Sequence, residues 1–70
     1  MDIFQKRLKE ERAGQGITQR EMAGKLQIPL RTYINYEQSG KGNRQPDLDT
    51  LVKIAKILGV RSDYLLGMED

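Results

Sequence analysis

The sequence predicts an all-α fold of five short helices in one small domain. Three observations carry this. Apolar residues recur three and four positions apart in separate short stretches, as one buried helix face requires. Glycine, proline or a capping residue stands between the stretches. No run of alternating β-branched residues reads as a strand. At 70 residues the chain buries roughly 60% of the surface its unfolded form exposes. Its expected net stability is thin, about 3–5 kcal/mol.

The first helix is predicted from Asp2, which can cap it, to about Ala13, with Phe4 and Leu8 forming a narrow apolar stripe. Gly14 to Gly16 ends it, because glycine accepts the left-handed geometry of a helix C-terminus. The second helix has the clearest start signal in the chain. Thr18 and Glu21 stand as a capping box, T-x-x-E, and Ile17 and Met22 flank them as a hydrophobic staple. Met22, Ala23 and Leu26 make its buried face, while Gly24 costs about 1 kcal/mol in a helix interior.

Pro29 forces a break. Proline disfavours helical geometry in the residue before it but fits the first turn of a new helix. Leu26 to Ile28 is therefore a turn, and a third helix is predicted from about Leu30 to Gln38. Two short helices joined by so few residues make a helix-turn-helix candidate. A polar, glycine-rich loop follows, Ser39 to Pro46. Asp47 caps a fourth helix whose Leu48, Leu51, Ile54, Ala55 and Leu58 recur at helical spacing until Gly59 stops it. A fifth, roughly Ser62 to Leu66, completes a domain expected to span residues 1–66, with 67–70 as a short frayed tail.

Composition narrows the function. There is no cysteine for a disulfide or a thiolate zinc site, and no histidine, the commonest general base and metal ligand. Catalysis is not expected, nor is a metal or cofactor. No apolar run approaches 18 residues and the first 20 are charged throughout, so neither a membrane span nor a signal peptide is expected. The setting expected is cytoplasmic. Net charge is only +2, but residues 1–44 carry nine Lys/Arg against five Asp/Glu, whereas 45–70 carry three against five. One end is basic and the other acidic. Basic clustering is the electrostatic footprint of nucleic-acid binding, although on charge alone it is also ordinary surface scatter.

The third helix sharpens the choice. Tyr33, Tyr36 and Glu37 fall on one side, and Leu30, Arg31, Ile34 and Asn35 on the other. The tyrosine side is expected to face the core, where Met22, Leu26, Leu51 and Ile54 can receive the rings. The outward side then presents a guanidinium and a carboxamide, the groups that make paired hydrogen bonds to guanine and adenine in the major groove, and aliphatic groups suited to a thymine methyl. Taken singly, each residue is as readily a solvated helix face, and Leu30 with Ile34 a protein contact.

The ordered series resembles a known family. "RLKEER", "GITQREMAGKL", "RTYINYE", "PDLDTLVKIAKILGV" and "SDYLLG" are similar to the helix-turn-helix domain of the phage repressor and Cro (XRE) type, and together they cover nearly the whole chain. The resemblance implies a compact five-helix bundle of the lambda-repressor-like kind, with helices 2 and 3 as the helix-turn-helix and helix 3 in the major groove of double-stranded DNA. It implies base-reading by Leu30, Arg31 and Asn35. Phosphate contacts are implied for Gln19 and Thr18 at the start of helix 2, for Thr32, and for Lys41, Asn43 and Arg44 in the following loop. It further implies a shielded ion pair between Arg12 and Glu37. Two departures stand out: the loop after Glu37 is longer than the compact G-K-x-x-P form, and Pro29 with Leu30 replaces the polar residues usual at the start of the reading helix.

The function these readings favour is a sequence-specific transcriptional regulator, a repressor, acting as a homodimer on a palindromic site. The alternative is an antitoxin-like or adaptor module that keeps the fold and binds a protein through Leu30 and Ile34. One reading helix covers too few base pairs to single out a genomic site. Two copies with reading helices about 34 Å apart solve this. Val60, Tyr64, Leu65 and Leu66 are the expected dimer contact, with closure of the domain's own core the alternative, an equal one for Tyr64 and Leu65; the patch is small enough that pairing is weak without DNA.

Overall fold

A computed structural model describes residues 2–38 and 45–68. Its described residues form five α-helices and no strand: α1 (Asp2–Gly14), α2 (Gln19–Leu26), α3 (Leu30–Glu37), α4 (Leu48–Leu58) and α5 (Ser62–Leu65). The helix boundaries lie within a residue of those expected from capping and spacing.

The amphipathic stripes close one core. Phe4 and Leu8 of α1, Met22, Ala23 and Leu26 of α2, Tyr33 and Tyr36 of α3, Leu51, Ile54, Ala55 and Leu58 of α4, and Leu65 of α5 are all buried. Helix α3 packs against α1 and α2, while α4 packs against α2 and α5. Gln5 is a polar residue buried among them. Tyr33 and Tyr36 meet edge to face, with centroids 6.3 Å apart and planes 76° apart, the arrangement ring quadrupoles favour.

Four helices end in the same way. A residue of positive φ follows the last turn, and the next amide reaches back five residues. These closures are Ile17 N–H to the Arg12 carbonyl, Ile28 N–H to Ala23, Val60 N–H to Ala55 and Met68 N–H to Asp63. The positive-φ residue is glycine at 16, 59 and 67, but Gln27 (φ 58°) at the end of α2.

Three expectations are corrected here. Leu48, assigned to the apolar face of α4, is 75% exposed: it keeps the helical period of Leu51 and Ala55, but at the first turn it borders an open cavity shared with Phe4, Leu51 and Leu66 and is not packed over. Leu65, expected at a dimer contact, is wholly buried at the centre of α5's inner face. Gly67 and Met68 are not frayed: both amides bond back into α5, and Gly67 lies against the Ile3 side chain.

Candidate nucleic-acid interface

The helix-turn-helix is built from local signals upward. Thr18 Oγ1 accepts from the Glu21 amide at 3.0 Å, and Glu21 Oε1 accepts from the Thr18 amide at 2.8 Å. This reciprocal box satisfies two amides that the first turn of a helix leaves open. The Thr18 backbone bond holds the Glu21 carboxyl below its usual range, with the Thr18 hydroxyl contact second. At the other end Gln27 reverses the chain, and Pro29, itself the N-cap, gives its carbonyl to the Tyr33 amide at 3.1 Å. Only Gln27, Ile28 and Pro29 separate α2 from α3.

The inner side of α3 is anchored by a charged network. Glu37 is 3% exposed and Arg12 11%, and their side chains meet at 2.6 Å. Arg12 Nε and Nη2 donate to the two carboxylate oxygens of Glu37 in a fork, at 2.6 and 3.1 Å. Gln19 Nε2 donates to Glu37 Oε1 at 3.1 Å, and the Tyr33 hydroxyl donates to Oε2. Arg12 Nη1 also donates to the Ile17 carbonyl at 2.7 Å. The Glu37 hydrogen bond raises the Arg12 pKa further. Burial, then the Glu37 carboxylate, pushes the Tyr33 hydroxyl up. One carboxylate thus ties α1, α2 and α3 together and fixes the rotation of α3 about its own axis.

That rotation decides what α3 presents. Tyr33 and Tyr36 point inward, and Arg31 is exposed. Asn35, one turn later, is half-buried, as are Thr32 and Ile34. Leu30, expected on the outward side, is half-buried and packs against the core, because the short turn brings the first residue of α3 close to α2. Thr18 is exposed at the tip of α2, and Gln19 is half-buried beside it. The Gln19 amide nitrogen carries two hydrogens. One goes to Glu37, which leaves one for an outside acceptor. Lys41, Asn43 and Arg44 lie outside the described residues.

The expected dimer residues fare differently. Val60, Tyr64 and Leu66 are half-buried and pack on their own core. Arg7 lies over the Tyr64 ring at 4.4 Å and donates to the Tyr64 carbonyl at 2.5 Å. No sequence signal singled out this tie, since nothing local pairs residues 57 positions apart. Sequence reasoning also missed Gln15, whose Nε2 donates to the Leu58 carbonyl at 2.7 Å and closes the end of α4. Exposed Arg20, Lys25 and Gln27 add donors on α2 and its turn that no spacing rule singled out.

Comparison with known proteins gives a consistent result. The Helix-turn-helix family model matches residues 8–65. The HTH-type transcriptional regulator ImmR of Bacillus subtilis (strain 168) is 46% identical over 65 residues, covering 93% of this chain and 49% of ImmR. The HTH-type transcriptional activator BcrR of Enterococcus faecalis is 36% identical over 67 residues, 96% of this chain and 31% of BcrR. The cryptic phage CTXphi transcriptional repressor RstR of Vibrio cholerae is 33% identical over 58 residues, 83% of this chain and 50% of RstR. The chain spans half or less of the length of these relatives. No solved structure gives a significant match.

Proposed function

The chain belongs to the helix-turn-helix family of transcriptional regulators, and from that premise we propose that it binds double-stranded DNA sequence-specifically as a repressor, with α3 in the major groove. The observation that carries this reading is the seating of α3. Glu37, Tyr33 and Tyr36 lock its inner side while Arg31 stands exposed immediately after the turn. A rigid short helix with an exposed guanidinium is what paired recognition of guanine needs.

In this reading Arg31 and Asn35 contact base edges, and Leu30 chiefly seats the start of the helix. Thr18, Gln19 and Thr32 position the phosphate backbone together with Lys41, Asn43 and Arg44. The second Gln19 hydrogen would bridge Glu37 to a phosphate oxygen, so that docking on the backbone and aiming of the reading helix share one carboxylate. The protein acts in the cytoplasm as a homodimer on a palindromic site, pairing weakly without DNA. The protein-contact alternative needs Leu30 and Ile34 free, and both are half-buried.

Selection from random duplex DNA tests the reading. A palindromic consensus is expected, with half-sites about 10 base pairs apart and affinity falling steeply as salt rises. Recovery of no consensus, with weak and salt-insensitive binding, refutes it. A promoter carrying the consensus ahead of a reporter separates repression from activation: reduced expression is expected, and increased expression overturns the repressor assignment.

A further inference from the structure

The homodimer reading requires a pairing surface, and the residues expected to form it near the C-terminus leave little apolar area free, since Leu65 is buried and Val60, Tyr64 and Leu66 are half-buried against their own core. The outer face of α4 offers a different surface. Val52 (40% exposed) stands on it and is one of the large apolar side chains this fold leaves in solvent; Leu48 (75% exposed), one turn earlier, lies at the border with the core side, where it lines a shallow cavity with Phe4, Leu51 and Leu66. Asp49, Lys53 and Lys56 share the outer face and are exposed. Helix α4 packs on α2 and α5 through its opposite face.

The order of charges along this face is self-complementary. Asp49 stands in the first turn and Lys56 in the last, on either side of Val52. We propose that two copies of this chain pair antiparallel through α4, with Asp49 of each against Lys56 of the other and the two Val52 side chains meeting near the axis. A two-fold axis passing between Val52 and Lys53 brings residue 49 of one helix level with residue 56 of the other. At 100° per residue Asp49 and Lys56 lie within about 20° of each other around the helix, so both fall on the same flank of the seam. Parallel pairing would instead set Asp49 against Asp49 and Lys56 against Lys56. The charge pattern therefore selects orientation as well as partner, as flanking charges do in paired helices. A contact built on one short helix is smaller than the ~1,200 Å² typical of stable complexes. Pairing is accordingly weak in solution and becomes effective when DNA holds two copies side by side.

This inference rests on the homodimer reading, and charge reversal tests the two separately. The quantity measured is the affinity for a palindromic duplex relative to a single half-site, with copies counted by native mass spectrometry; the ratio cancels any general effect of charge on DNA binding. Asp49→Lys places like charges at both contacts of its own dimer, and so does Lys56→Asp. Each is expected to lower the ratio about tenfold or more, because like charges face each other across the seam. An equimolar mixture of the two variants pairs opposite charges at both contacts and is expected to restore the ratio, as is the double reversal in one chain. Helical content checked by circular dichroism is expected to stay unchanged. If the wild type binds a palindrome with two copies while both single reversals keep its ratio, the α4 surface is wrong and the homodimer stands. Loss in the single variants without rescue by mixing also overturns it. One wild-type copy on a palindrome at saturation overturns both readings.

Discussion

Replacing Arg12 with methionine removes the charge and keeps most of the stem. Its cost follows from what remains. The Glu37 carboxylate would stay 3% exposed with Gln19 and Tyr33 as its remaining donors among the described residues, and the Ile17 carbonyl would lose the Arg12 donor. Breaking a buried pair costs about 3–5 kcal/mol, against ~0–1 for an exposed one. Arg12 sits at the edge of the core with 11% exposure, so the lower end, about 3 kcal/mol, is the appropriate figure. A domain of this size holds only about 3–5 kcal/mol in total. Thermal denaturation followed by circular dichroism should therefore show a midpoint lowered by about 12 °C or more. Added salt should not close the gap, because a shielded pair is poorly screened. The variant carrying both Arg12→Met and Glu37→Met should lose less than the sum of the single losses. A shift under about 4 °C for Arg12→Met would mean the pair contributes no more than a surface contact, and the account of how α3 is held would fail.

Arg31→Ala should cost about 1–3 kcal/mol on the selected site and relax preference at one base pair, whereas Arg44→Ala should weaken all duplexes alike and reduce the salt slope by about one; equal loss for Arg31→Ala on specific and random DNA would refute the division of roles. Gln27→Gly should stabilise by about 0.5–1 kcal/mol in urea titration, since Gln27 holds a left-handed geometry that glycine adopts freely. Leu65→Ala should destabilise by about 2–5 kcal/mol independently of protein concentration, as a core residue rather than an interface residue does. Folding holds the Glu21 and Asp47 carboxyls below their ordinary values, through Thr18 and Thr50 respectively. Their contribution is complete above the ordinary carboxylate range and is lost as pH falls through their lowered values, so stability should decline below about pH 4, and Asp47→Asn should flatten part of that decline.

Much of this was legible because the signals are local. Thr18 and Glu21 are three residues apart, and their box needs nothing beyond the first turn of α2. Asp47 likewise accepts from the Thr50 amide at 2.8 Å. Phe4 and Leu8, or Leu51, Ile54 and Leu58, follow from helical period alone. The Arg12–Glu37 contact was legible only through resemblance, since 25 residues separate the partners. What escaped was tertiary in origin. Leu48 fits the apolar period yet stands in solvent, because the period fixes an angle around the helix and not whether a neighbour reaches its first turn. Leu65 and Leu66 look alike in sequence, and only the docking of α5 decides that the first is buried and the second half-buried. Gln27 gave no sign of left-handed geometry, because three of the four comparable helix ends use glycine there and this one does not.

The exception at Gln27 bears on how the site works. The helix-turn-helix turn has to bring two helices together within three residues while facing the proposed partner. Glycine at its first position would ease the geometry but would offer the DNA no side chain. Glutamine accepts the strain of positive φ and places an exposed amide between α2 and the exposed Arg31 of α3. Strained positions that persist in a fold concentrate where function needs them. The strain is tolerated because the chain on either side is fixed. The Ile28 amide bonds the Ala23 carbonyl at 3.0 Å, and the Tyr33 amide bonds Pro29 at 3.1 Å. Beyond them Glu37 holds Arg12, Gln19 and Tyr33. The buried network and the turn therefore act on the same variable, the direction in which Arg31 points. If this is right, the two Gln27 effects have opposite signs. Gln27→Gly should raise the unfolding midpoint and lower affinity for the selected site. A variant that gains stability and binds DNA equally well would show that the glutamine has no part in recognition.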